Sequence, residues 1–255
     1  EEIIQVVGIG QMSKILCVLQ VRGGSKGVHK KNIREVNGKP LMSWTIESAK
    51  KSGMFDDIWV SSDSDEILEV GRQEEVNTTK RPEELSGDDV LSVDSLHWVV
   101  EHIEELKQNK YDYVVELPVV CPLRNETHIK EAVEKLIETQ ADSVISVTQM
   151  TDKHPVRMKR ITDDDLIEDF CSEYPEGDAG RRQDLEPCYI RNGGIYSMKR
   201  DTLMNERTRH GKISRPYVME DKYSVNIDNE MDLKIAEVML NIKEAIEVSN
   251  TFERS

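Results

Sequence analysis

Short apolar segments alternate with amphipathic ones along the first half of this chain. The pattern predicts strands at 14–21, 58–61, near Val76, at 113–117 and at 143–148, separated by helices at about 40–52, 65–73, 92–107 and 127–139. Such alternation is typical of an α/β fold with a mainly parallel sheet between helical layers. A chain of 255 residues can build one such domain. We therefore predict a single domain over 14–248, an extension at 1–13 and a tail at 249–255.

Residues 149–187 interrupt this rhythm. The segment is polar, its charges come in blocks, and prolines and glycines punctuate it. We predict that it forms an arm outside the main sheet. Strand patterns resume at about 188–198 and 217–227, and a closing helix is predicted over 230–248.

The charge balance limits the classes of partner. The formal net charge is −15 and charged residues make up 33% of the chain, which argues against general nucleic-acid binding. No apolar run approaches the length that crosses a bilayer, so we expect no membrane segment. Four widely spaced cysteines form no Cys-x-x-Cys pair. That spacing favours reduced thiols and a cytoplasmic protein.

One short segment has the opposite charge. Residues 22–41 contain six lysines and arginines and one acidic residue. Glycines in it allow close approach of backbone N–H groups, and the cations suit a polyphosphate. The segment follows the first strand, where open α/β sheets bind ligands, and Pro40 is expected in the first turn of the next helix. It fits neither the P-loop pattern nor the dinucleotide fingerprint, and a solvated surface turn is the alternative.

This segment resembles the signature of the acylneuraminate cytidylyltransferase (CMP-sialic acid synthetase) family. That signature is Arg-x-x-Ser-Lys-Gly, a basic spacer, Lys-Asn, and Gly-x-x-Leu, and the chain matches it at Arg22, Ser25, Lys26, Gly27, Lys31, Asn32, Gly38 and Leu41. The resemblance extends over about 14–240. It implies a Rossmann-like nucleotidyltransferase with a mainly parallel mixed sheet in a three-layer sandwich and a protruding dimerisation arm. It also implies transfer of CMP from CTP to a nonulosonic acid, with Mg²⁺ as cofactor and a homodimer as the assembly.

The resemblance assigns roles around the nucleotide. It implies nucleotide contacts for Arg22, Ser25, Lys26, Lys31, Asn32, Arg81 and Ser92, and catalytic roles for Lys26, Lys31 and Arg181. The sequence Pro122-Leu123-Arg124 matches a family turn, but Pro118 stands where that turn has a base-contacting glutamine. We therefore expect backbone groups of 117–121, together with Arg81, to read the base.

The resemblance also implies a sugar-acid site and a metal site. Arg157, Arg181, Arg182, Asn192 and Tyr196 correspond to sugar-binding positions of the family. Arginine suits this task because its planar group grips a carboxylate through two hydrogen bonds. Asp228 corresponds to a magnesium ligand, and Asn226 replaces its acidic partner. A structural turn is the alternative for this Asn-x-Asp pair.

Two alternatives stay open on the sequence alone. The sugar could be legionaminate, pseudaminate or Kdo, although the run from Arg181 to Asp184 favours a sialic acid. The chain could also be a nucleotide-binding regulator without turnover, since Pro118 and Asn226 depart from the family pattern.

Overall fold

A seven-stranded sheet forms the centre of the computed structural model, which describes residues 13–24, 27–150, 153–173, 181 and 184–252. The strands are β1 (Ile15–Gln20), β2 (Glu35–Val36), β3 (Lys39–Pro40), β4 (Asp57–Ser62), β5 (Asn77–Lys80), β6 (Tyr113–Glu116), β7 (Ser143–Met150), β8 (Lys159–Ile161), β9 (Ile167–Asp169), β10 (Cys188–Lys199) and β11 (Ser214–Val218). The helices are α1 (Leu41–Ser52), α2 (Asp65–Gln73), α3 (Ser92–Lys107), α4 (Glu126–Thr139), α5 (Arg200–Glu206) and α6 (Glu230–Phe252).

The main sheet has the strand order β11-β7-β10-β6-β1-β4-β5. Its neighbouring strands are parallel, except that β10 is antiparallel to both β6 and β7. The predicted α/β fold with a mainly parallel sheet is thus confirmed. From β1 the chain proceeds to β4 on one side and later returns to β6 on the other, which creates a topological switch point between β1 and β6.

Strand β1 shows why three layers form. Cys17 and Leu19 belong to a core cluster that includes residues of α1, α4 and α6, whereas Leu16 and Val18 belong to a second cluster with residues of α3 and α5. Successive strand residues face opposite sides of a sheet. Because β1 is apolar from Ile15 to Leu19, both of its faces are buried between helical layers.

Helix boundaries agree closely with the sequence prediction. α1 begins one residue after Pro40 and ends at Ser52, and the φ of 63° at the following Gly53 suits a residue without a Cβ. The predicted cap of α4 is wrong: Asn125, not Thr127, occupies the cap position. The Asn125 side chain accepts a hydrogen bond from the His128 N–H, and His128 Nδ1 accepts one from the Asn125 N–H.

The second half of the chain differs more from expectation. The last strand is Ser214–Val218, not 217–227, and residues 221–223 form a 3-10 turn. Helix α5 was not predicted. Its seven residues are too few to show helical periodicity clearly.

The predicted arm contains a small antiparallel hairpin of β8 and β9, outside the main sheet. Its apolar side chains are exposed: Ile161 is 76% exposed, Ile167 73% and Phe170 65%. Among the residues described, no helix combines the length and the apolar character that a membrane span requires.

Candidate active site

A cleft of about 290 Å³ opens at the switch point between β1 and β6. Gln20, the last residue of β1, and Glu116, the last residue of β6, both line it. Five of the predicted nucleotide-binding residues also line this cleft, namely Arg22, Lys31, Asn32, Arg81 and Ser92. Ser25 and Lys26 lie outside the described residues. The five predicted residues that line the cleft are separated by up to 70 positions in the chain, from Arg22 to Ser92.

The basic loop forms one side of the cleft. The Asn32 side-chain amide donates to the Arg22 carbonyl at 2.9 Å, which ties the two ends of the loop together. The Gly23 N–H donates to Asp63 Oδ1 at 2.8 Å, and Arg22 pairs with Asp88 at 2.6 Å. The Arg22 and Asp88 side chains are both more than 40% exposed, so this pair stabilises the fold little and can reorganise around a ligand.

Lys31 is the most enclosed described cation of this loop. Its side chain is 13% exposed, and Nζ donates to the Ile227 carbonyl at 2.7 Å. Asp228 Oδ1 lies 4.0 Å from the same nitrogen. Burial lowers the pKa of Lys31, while Asp228 opposes that shift. A negatively charged phosphate oxygen in the cleft would favour the protonated form of Lys31 and so oppose the effect of burial.

A close backbone contact connects the loop to the segment before α6. A Cβ built on Gly27 would lie 1.9 Å from the Asp228 carbonyl oxygen. No larger residue fits there unless the backbone moves. Gly27 therefore allows the loop to pack directly against the residues that hold Lys31.

A polar network forms the opposite side of the cleft. Arg81 is buried, and its Nε donates to Ser86 Oγ at 3.0 Å. Its Nη1 lies 3.4 Å from Gln20 Oε1. Gln20 in turn donates to the Ser92 carbonyl at 3.0 Å and to Glu116 Oε1 at 2.8 Å. Both amide hydrogens of Gln20 are thus used, which fixes its orientation.

Arg209 completes this network from the loop after α5. It grips Glu116 through Nε at 2.5 Å and Nη2 at 3.0 Å, and its Nη1 donates to Ser92 Oγ at 2.8 Å. Its guanidinium carbon lies 5.5 Å from the centre of the Tyr196 ring. Arg209 therefore connects a predicted nucleotide residue, Ser92, with a predicted sugar residue, Tyr196.

Sequence analysis missed Gln20, Glu116 and Arg209. One signal was present for Glu116, because a charged residue stood inside an apolar segment that was predicted to be a buried strand. Nothing local marked Arg209, which follows an unpredicted helix.

Arg124 holds the cleft wall from behind. This arginine is 1% exposed, and its Nη1 donates to the Pro118 carbonyl at 3.1 Å and to the Gly194 carbonyl at 2.6 Å. Pro118 lines the cleft, and Gly194 lies in β10 two residues after Asn192. The wall at 118–120 is therefore fixed to β10.

The predicted sugar residues are dispersed. Arg157 and Arg181 are exposed on the arm and do not line the cleft of their own chain, and Arg182 lies outside the described residues. Asn192 is buried, and its side chain bonds to Ser146 at 2.6 Å and to Ser224 at 2.9 Å. Such contacts give Asn192 a structural role; its sugar-binding role stays a prediction.

Of the two predicted metal ligands, Asp228 lies beside Lys31, with Oδ1 4.0 Å from Nζ, and neither Asp228 nor Asn226 lines the cleft. Asp228 is 75% exposed, and Asn226 is exposed as well. Carboxylate and amide oxygens are ligands that Mg²⁺ accepts, usually together with water and phosphate oxygens. Within the described part of the chain, no group of three His, Cys, Asp or Glu residues could hold a metal ion. The residues thus suit an ion that a phosphate ligand helps to bind, not a metal site built by protein alone.

Comparison with solved structures agrees with this architecture. One neighbour is CMP:2-keto-3-deoxy-manno-octonic acid synthetase complexed with CTP, with a TM-score of 0.69 and 14% identity over 91% of this chain and 100% of that chain. Another is 4-diphosphocytidyl-2C-methyl-D-erythritol synthase from Anaerococcus prevotii, with a TM-score of 0.59 and 15% identity over 90% of this chain and 96% of that chain. At these identities the likeness concerns the fold.

Relatives found by sequence have a higher identity to this chain than these two structural neighbours. The chain is 34% identical to N-acylneuraminate cytidylyltransferase of Streptococcus agalactiae serotype V over 86% of this chain and 51% of that protein, so it spans about half the length of this relative. It is 30% identical to pseudaminic acid cytidylyltransferase of Campylobacter jejuni over 90% of this chain and 97% of that protein. Residues 16–233 match the cytidylyltransferase family. Because that match includes the basic loop, the cleft and most of the sheet, this chain belongs to the cytidylyltransferase family.

Proposed function

We propose that this protein transfers CMP from CTP to the anomeric hydroxyl of a nonulosonic acid and releases pyrophosphate. The observation that carries the proposal is the cleft at the switch point, where Arg22, Lys31, Asn32, Arg81 and Ser92 converge. The family match and the names of the relatives favour the same reaction. A cytoplasmic location fits, since CTP is an intracellular substrate and all four cysteines are free.

Positioning and charge stabilisation account for most of the catalysis in such a transfer. Lys31 and Arg22 would neutralise the negative charge that builds on the α-phosphate and on the leaving pyrophosphate. Asn32 would keep the loop in shape through its bond to the Arg22 carbonyl, which is 2.9 Å long. Arg81 would contact the nucleoside from the opposite side.

We include Mg²⁺ in this proposal, with Asp228 and Asn226 as its protein ligands. When bound, the ion supplies positive charge next to the phosphates. Asn226 contributes no negative charge, so Asp228 would supply the protein's negative charge next to the ion. An Asp228→Asn variant should need a severalfold higher magnesium concentration for half-maximal rate, and an unchanged magnesium dependence would contradict the assignment.

We further propose a homodimer in which the arms cover neighbouring active sites. Three exposed apolar residues of the arm, Ile161, Ile167 and Phe170, form a surface that water solvates poorly. Arg157 and Arg181 lie on the same arm and outside the cleft of their own chain. A partner's arm would bring such arginines to the carboxylate of the sugar acid.

Sedimentation velocity at micromolar concentration tests the dimer. The wild-type chain should sediment as a dimer, and Ile161→Asp should shift it toward monomer. Ile235→Asp serves as the control, because Ile235 is an apolar residue on α6 that is also 46% exposed. A monomeric wild type, or equal effects of the two substitutions, would contradict the proposed role of the arm.

Pyrophosphate release tests the reaction itself. The purified chain, CTP and Mg²⁺ would be mixed with N-acetylneuraminate, legionaminate, pseudaminate or Kdo in turn. We expect release with a nine-carbon acid, and the sialic acid is favoured. Nucleotide binding without release for every sugar would favour the regulatory alternative instead.

A further inference from the structure

Glu116 has an unusual position for a carboxylate. It is 6% exposed at the end of a buried strand and lines the cleft. Pro118 lines the same wall, and its side chain has no donor or acceptor for a hydrogen bond. Along the segment 116–118, Glu116 is therefore the side chain that can make a polar contact with a bound base.

The hydrogen bonds of Glu116 leave one acceptor position open. An ionised carboxylate has about four lone-pair positions, two on each oxygen. Oε1 accepts from Gln20 Nε2 at 2.8 Å and from Arg209 Nη2 at 3.0 Å, whereas Oε2 accepts from Arg209 Nε at 2.5 Å. Gln20 and Arg209 thus hold the group firmly, and Oε2 keeps capacity for one more donor.

We propose that Glu116 accepts a hydrogen bond from the 4-amino group of the cytosine and so selects CTP over UTP. This inference rests on the proposed use of a cytidine nucleotide in the cleft. Cytosine carries an amino donor at the position where uracil carries a carbonyl oxygen. A fixed carboxylate attracts the amino group of cytosine and repels the carbonyl oxygen of uracil. The attraction favours CTP and the repulsion disfavours UTP, so both contribute to specificity.

Arg81 supplies the complementary half of this recognition. Its guanidinium lies across the same network, 3.4 Å from Gln20 Oε1, and carries donors only. The ring nitrogen N3 and the carbonyl O2 of cytosine are acceptors, so the arginine suits them and the carboxylate suits the amino group. Burial lowers the pKa of Arg81, although an arginine remains charged at neutral pH.

The chain offers a matched control for a purely structural ion pair. Glu104 and Arg200 also form a two-point pair, with bonds of 2.6 and 2.7 Å, and Glu104 accepts a third bond from the Tyr111 N–H. The carboxylate side chains are equally enclosed, 8% exposed for Glu104 and 7% for Glu116. Glu104 does not line the cleft.

The experiment is calorimetric titration with CTP, UTP and the CTP analogue whose base is pyrimidin-2-one, which lacks the 4-amino group. Magnesium is present, and no sugar is needed. Wild type should bind CTP about tenfold to a hundredfold more tightly than the analogue. Glu116→Gln should lower the CTP:UTP affinity ratio by a similar factor, because a carboxamide can donate to the uracil oxygen. Glu104→Gln should leave the ratio unchanged.

Several results would overturn the inference. Equal wild-type affinity for CTP and the analogue would do so without any variant, even if Glu116→Gln failed to fold. A folded Glu116→Gln protein with the wild-type CTP:UTP ratio would show that the pair only supports the structure. Failure to bind either nucleotide would refute this inference and the proposed function together. Selective CTP binding without pyrophosphate release would refute the transfer reaction and leave base selection intact.

Discussion

Replacing Lys31 with methionine tests the central electrostatic argument. The substitution keeps most of the apolar stem and removes the ammonium group, which lies 2.7 Å from the Ile227 carbonyl and 4.0 Å from Asp228. A charge-assisted hydrogen bond contributes about 1.5–3 kcal/mol, and opposite charges about 4 Å apart attract by about 4 kcal/mol at an effective dielectric constant near 20. We therefore expect the transition state to lose about 2–4 kcal/mol. At about 1.4 kcal/mol per tenfold, kcat/KM should fall about 30-fold to 1,000-fold.

The assay is pyrophosphate release at saturating sugar acid, with circular dichroism and thermal unfolding as checks of folding. Asp228 is 75% exposed, so loss of its contact with Lys31 should cost less than about 1 kcal/mol of stability. Lys30→Met is the matched control, since Lys30 is the adjacent lysine, is 50% exposed and pairs with Glu66 at 2.7 Å. Near-normal kcat/KM in folded Lys31→Met, or an equal loss in Lys30→Met, would refute the reasoning.

Three further perturbations address the loop, its titration and the helix cap. Burial lowers the pKa of Lys31, so kcat/KM should fall as the pH rises through that lowered value; Lys31→Arg should move this alkaline limb to higher pH, and a limb that stays in place would exclude Lys31 as its source. Gly27→Ala should lower the melting temperature and the rate, because the added methyl group would collide with the Asp228 carbonyl. Gly24→Ala is the control, since a Cβ added at Gly24 meets nothing within 4 Å. Equal melting temperatures for Gly27→Ala and Gly24→Ala would contradict the packing argument. Asn125→Ala should cost about 0.5–2 kcal/mol in denaturant unfolding, and Thr127→Ala little, since only Asn125 caps α4; the reverse order would restore the cap predicted from sequence.

Much of the fold was predictable because periodicity reports burial directly. Helices α1, α2 and α3 follow the predicted ranges, since each presents apolar residues to the sheet at helical spacing. The antiparallel placement of β10 between β6 and β7 was not predictable. Strand order depends on which distant surfaces pack together, and a local pattern carries no information about that choice.

In the candidate site, too, local features could be predicted from the sequence, and contacts between distant segments could not. The basic loop was recognisable because its residue types and spacing lie within 20 positions, from Arg22 to Leu41. The network of Gln20, Glu116 and Arg209 joins three distant segments, and its geometry exists only after the sheet has formed. Asn192 was singled out from a motif, and the structure adds that its side chain is bonded to Ser146 and Ser224, which the motif alone did not indicate.

The contact between Gly27 and Asp228 has a consequence for how this domain can be divided. The two residues are 201 positions apart, yet the backbone at 228 sets the shape of the loop at 27. A fragment that ended after β11 could keep its strands, but it would lack the backbone at Asp228 against which the basic loop packs. The ability of this protein to bind a ligand should therefore appear only after residues from both ends of the domain have packed together, which makes it a late event in folding. For the same reason, the domain is a poor candidate for split-protein designs.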